Sequence, residues 1–190
     1  MAYDAFLKLD GIKGESQDSK HKGEIDIMSF SWGASQVGTH SMGSGGGSGK
    51  VTFQDLHVVK RTDSASPLLF LNCASGAHIK EANLVVRKAG GTQLEYLKIK
   101  LTDVLVSSFR PMANPAITGN TSQEAAAAAG GAGAGFSGGL HSGLDVENPH
   151  EEVSLNFAKI EFSYQPQGAD GKAQGGPILA GWDVKGNQKV

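Results

Sequence analysis

Residues 43–50, Gly-Ser-Gly-Gly-Gly-Ser-Gly-Lys, have the composition of a loop that could cradle phosphate. Such a loop follows the pattern Gly-x-x-x-x-Gly-Lys and then Ser or Thr, so that backbone N–H groups wrap the phosphates and the hydroxyl holds magnesium. With Gly49-Lys50 as the anchor pair, the first position is Ser44 and the last is Val51, so both ends of the pattern are missing. A phosphate loop must also open a helix, whose free N–H groups receive the anion. Here Val51, Thr52, Phe53 and Gln54 follow, alternating at the two-residue period of a strand. The tract reads as a long flexible loop between two strands.

The other reactive side chains are as poorly placed for chemistry. None of His21, His40, His57, His78, His141 and His150 has a second histidine three or four residues on, and Cys73 is the one cysteine, so metal-ligand spacing is absent. Cys73 lies mid-helix on or near the apolar side and reads as a small buried thiol, not a nucleophile. No Gly-x-Ser-x-Gly stands on a strand-to-helix turn. Glu151 and Glu152 open a strand on opposite faces and read as solvated edge charges, not an acid/base pair. Lys98 and Lys100 form an outward stripe. Trp32, Trp182 and Tyr164 could line a carbohydrate groove, although large aromatics at strand positions usually belong to a core. The residues predict a protein with no catalytic group, cofactor or metal, and hence a binding or structural role.

The elements that would hold these residues are mostly strands. Tyr3, Ala5, Leu7 and Leu9 share one face of a first strand. In the second, Ile25 and Ile27 face one way and Met28, Phe30 and Trp32 the other, which predicts a bulge or burial on both sides. Leu97, Ile99 and Leu101 alternate with Lys98, Lys100 and Thr102. Val153, Leu155 and Phe157 are followed by Ala158, Ile160, Phe162 and Tyr164, a second change of face that again predicts a bulge. One helix is predicted after Ser66 as N-cap and Pro67 as first helical residue, with Leu68, Leu71 and Ala74 as its buried stripe and Gly76 as its stop. The sum is a mainly β domain: an antiparallel barrel or sandwich of about seven or more strands with one short flanking helix. The chain's 190 residues suffice for one domain with a substantial core, and a net charge of -2 gives no basic surface for nucleic acid or anionic membrane. No apolar run approaches the roughly 18 residues that a membrane helix needs. The N-terminus lacks the features of a secretory signal.

Several motifs, in order and at matching spacing, carry a resemblance: Gly11-Ile-Lys-Gly-Glu-Ser16, Glu24-Ile-Asp-Ile-Met-Ser-Phe-Ser-Trp-Gly33, Ser66-Pro-Leu-Leu-Phe-Leu-Asn-Cys-Ala-Ser-Gly76, Val86-Arg-Lys-Ala-Gly-Gly91 and Phe162-Ser-Tyr-Gln-Pro-Gln167. With them the chain resembles the Hcp family, the tube protein of bacterial type VI secretion systems. The resemblance implies a single β-barrel domain over residues 1–190, six copies in a ring, and rings stacked into a tube. A contractile sheath would propel the tube, tipped by a spike protein, and small effectors would ride in its lumen. It implies no enzyme activity, cytoplasmic synthesis, and export by the apparatus without a signal peptide. A carbohydrate-binding β-sandwich module is the alternative.

In that family the glycine loop between the second and third strands reaches toward neighbouring subunits. The candidate contact residues here are Gly38, Thr39, His40, Ser41, Met42, Gly43, Ser44, Gly45, Gly46, Gly47, Ser48 and Gly49. The segment 111–149 is expected to be an elaborated hairpin loop, longer than the family's usual connection.

Overall fold

A computed structural model describes residues 3–36, 50–88, 93–112, 149–168 and 171–190. The candidate loop from Gly38 to Gly49, and residues 113–148 of the expected insertion, lie outside the described residues. The described elements are β1 (Tyr3–Leu9), β2 (Ile25–Ser31), β3 (Ala34–Ser35), β4 (Thr52–Phe53), β5 (Leu56–Arg61), α1 (Ser66–Ser75), β6 (His78–Lys88), β7 (Glu95–Met112), β8 (His150–Tyr164), β9 (Ile178–Asp183) and β10 (Gln188–Lys189).

The main sheet runs β10-β9-β8-β5-β2-β1-β6-β7, and β7 pairs back onto β8. That last pairing closes six strands, β8-β5-β2-β1-β6-β7, into an antiparallel barrel and removes their free edges. Alternate residues fill it: Ala5, Leu7 and Leu9 from β1, Leu56 and Val58 from β5, Ala82, Leu84 and Val86 from β6. β8 pairs with β7 along its whole length and has two successive partners on its other edge. Its first half pairs with β5 and its second half with β9, so β9 and β10 extend the sheet beyond the closed part.

The changes of face predicted from the sequence are present, by two mechanisms. β2 shifts register against β5 between Ile27 and Ser29, a bulge that carries Phe30 onto the partner's inward position at Val58. In β7 and β8 the switch is shared. Leu101 and Ile160 are paired and buried, and so are Val104 and Phe157, with two residues between inward positions on each strand. Both strands change phase together, so their register is unbroken there, and the bulge expected at this point of β8 is corrected. Asp103, with φ 55°, makes the turn on β7. A separate one-sided bulge lies between Val106 and Ser108.

Pro67 begins α1 and Gly76, at φ 66°, ends it in the left-handed conformation. The expected N-cap and buried stripe are corrected. Ala65 occupies the cap position without a side-chain cap bond. Leu69 is the buried leucine, Cys73 packs partly buried, and Leu68, Leu71 and Ala74 are exposed. The reason lies at the helix start, where Ser66 is turned into the barrel end. Lys60 Nζ donates to Ser66 Oγ at 3.1 Å and to Glu151 Oε2 at 2.9 Å, and pairs with Asp63 Oδ1 at 2.8 Å. Ser66 Oγ in turn donates to Glu151 at 2.7 Å. Glu151 is therefore no solvated edge charge: it is 2% exposed, the cross-strand partner of a buried lysine. Glu152 does face outward, beside Arg110.

Candidate assembly surfaces

The glycine-rich loop springs from a local scaffold. β3 and β4 pair as Ala34↔Phe53 and Ser35↔Thr52, and Gln54 N–H donates to Gly33 C=O at 2.8 Å. This two-stranded ribbon stands apart from the main sheet and holds residues 36 and 50, the described flanks of the loop. Phe53 anchors it edge-on against Phe157, with ring centroids 6.0 Å apart.

A second connection, residues 10–24, wraps over the outer face of β1. Phe6 points away from the barrel interior yet is buried, because His21 stacks on its ring at 4.3 Å and the Arg87 guanidinium lies 4.8 Å from the ring centroid. Arg87 also bonds Asp18 and Asp4, and its bonds to Asp18, with the backbone N–H of Lys20, hold the Asp18 carboxyl down at about 2. His21 bonds Glu24 at 2.8 Å and has Glu95 at 3.4 Å. Gly14 is required here: a Cβ would stand 2.5 Å from the Glu24 carbonyl oxygen. The motif from Gly11 to Ser16 is thus a packing element, not a site.

On the outer face across β5, β7 and β8, Asp55 accepts from Ser107 and Asn156, and His57 Nδ1 lies 2.8 Å from Ser154 Oγ. These groups satisfy one another across strands. The Asp55 carboxylate bonds Ser107 and Asn156, so it does not orient His57 as a serine hydrolase requires. Asp103 is bonded by Lys185 and His78, both at 2.6 Å, and these bonds lower its pKa. The result ties the β9–β10 turn to β7. Lys98 and Lys100 point outward as predicted, each beside a glutamate.

The aromatic residues divide. Trp32 and Trp182 are partly buried against the core, with Trp32 5.9 Å from Phe162, whereas Tyr164 is more exposed. Other large apolar side chains are exposed on α1 (Leu68, Phe70, Leu71) and on β9 (Ile178, Leu179), besides Tyr3 and Val190. Sequence reasoning missed both groups. The available signal was the complete lack of charge in α1, which a helix with a solvated face would not show.

Comparison with known proteins agrees with this architecture. Residues 6–164 match the family model described as type VI secretion system effector, Hcp. The chain is 42% identical to protein hcp1 of Pseudomonas aeruginosa over 188 residues, covering 98% of each chain. Among solved structures, Hcp1 from Salmonella typhimurium superposes with a TM-score of 0.68 at 35% identity, covering 100% of both chains. Another, a type six secretion system protein, gives a TM-score of 0.78 at 29% identity, also over 100% of both. A closed antiparallel barrel with one flanking helix, matched along its length in sequence and in shape, makes this chain a member of the Hcp family of type VI secretion proteins.

Proposed function

We propose that the chain is the building block of a secretion tube. Six copies close head to tail into a ring, rings stack, and the tube leaves the cell behind a spike, driven by a contractile sheath. The lumen carries small effectors. The chain is made in the cytoplasm, needs no signal peptide, and performs no catalysis. One observation supports this reading most directly. The barrel is closed, yet large apolar side chains stand exposed in two separate places, α1 and β9, where Phe70 is 59% and Ile178 63% exposed. Grouped exposure of this kind marks surfaces that another molecule covers. Two different patches on one chain suit a heterologous contact, which repeats until the rotation closes.

In this reading the loop from Gly38 to Gly49 is a contact arm between subunits or rings, since Gly and Ser let backbones approach without side-chain clash. Pro111 and Met112, expected in the insertion, belong to β7, and residues 113–148 are an elaboration between β7 and β8 that bears on stacking or cargo. The test is export. In cells with a working apparatus, tagged chain should appear in the medium, and deletion of the sheath genes should retain it. Equal release with and without a sheath would contradict the proposal.

A further inference from the structure

The ring reading requires two surfaces that fit each other, and the structure offers a pair. The ten residues of α1 include none that is charged. Its outer face presents Leu68, Phe70 and Leu71 to solvent, Leu71 by 56%. A separate groove of about 500 Å³ is lined by Trp32, Phe53, Phe162, Ala180 and Trp182, among others. Among the described residues, no charged side chain lines it. The Trp182 indole N–H is out of water and meets no acceptor among the described residues. In a chain with 17 basic and 19 acidic residues, two uncharged faces are a distinctive match. Joining them leaves no charge stranded from water, whereas pressing either onto an ordinary charged surface would.

Within one chain α1 leaves Leu68, Phe70 and Leu71 exposed and so does not fill the groove. β8 touches both: Glu151 bonds Ser66 at the start of α1, while Phe162 lies in the groove. From residue 151 to residue 162 a strand spans up to about 35 Å. A second copy can bring the matching face.

We infer that, in the ring proposed above, the outer face of α1 on one subunit docks into the Trp32–Trp182 groove of the next. Phe70 and Leu71 are the anchors, and the contact is head to tail.

Two measurements test this. Leu71→Asp alters an exposed position and should keep the β-rich spectrum of the parent. It should shift the assembled protein to monomer at concentrations where the parent is hexameric by sedimentation. Separately, with Cys73→Ala to remove the native thiol, Leu71→Cys and Ala180→Cys are combined and bridged with a short bis-maleimide. A denaturing gel should show a ladder of covalent multimers up to six, and either new cysteine alone should show none. Parent rings with Leu71→Asp rings equally stable and no ladder would overturn the docking while leaving the ring reading intact, with α1 then free for a sheath or cargo protein. A parent that stays monomeric throughout would overturn both. If Leu71→Asp misfolds, the ladder alone decides.

Discussion

Lys60 is a buried charge whose placement bears directly on stability. It lies within the barrel end, 0% exposed, with Glu151, Asp63 and Ser66 around its ammonium group. A buried pair is costly to break because the remaining charge is left without compensation, whereas replacing both partners with apolar side chains can be neutral. Lys60→Met alone should lower stability by about 3–5 kcal/mol, and Lys60→Met with Glu151→Leu should recover most of that loss. Urea unfolding of the three proteins checks it. The pair was half legible. Leu56, Val58 and Lys60 alternate, so the period of β5 already aimed Lys60 inward, but its partner lies 91 residues away and no local pattern links them. Asp18 supplies a pH dependence. Its carboxyl is held at about 2, below its ordinary 3.8, so the unfolded chain takes up the proton first. Its contribution to stability is complete above about pH 4 and fades as pH falls toward 2. Asp18→Asn should lower stability at neutral pH and flatten the stability–pH curve within that window, as thermal melts across it would show.

At the scale of elements, periodicity succeeded where the chain alternates and misled where it does not. The strands and both changes of face follow from spacing. The stripe assigned to α1 did not hold, because Leu68, Leu69, Phe70 and Leu71 are consecutive and any of them could start an apolar face. The buried Lys60–Glu151–Ser66 network chose Leu69 by turning Ser66 inward. The connections offer a sharper test. β7 and β8 are paired to their ends, with Met112 opposite His150, so a short turn can join them. Replacing 113–148 with a two- to five-residue Gly-containing turn should leave the barrel spectrum unchanged, and shortening the closed loop should raise stability by up to about 2 kcal/mol. Trimming Gly43 to Gly49 should likewise spare the fold, since β3 and β4 hold its flanks, but should weaken assembly. Circular dichroism and sedimentation on both variants separate the two roles. An insoluble 113–148 replacement would place that segment in the core, and a trimmed loop with undiminished rings would make it a mere linker.

At the scale of the whole molecule, the closed barrel satisfies its own sheet and leaves only selected faces for neighbours. β7 seals against β8, the β9–β10 extension and α1 carry the apolar exposure, and the chain's charge of -2 lets six copies approach with little repulsion. The sequence could announce strands, a helix and a family. It could not show that Trp32, Phe53, Phe162 and Trp182 line one groove, because they come from strands and connections far apart in the chain. The central claim is a closed ring of six, and the direct measurement is electron microscopy of the purified chain over a concentration series. Class averages should show rings with six-fold symmetry and, at the highest concentrations, end-on stacks. A field of single barrels at every concentration, or rings of another symmetry, would contradict it.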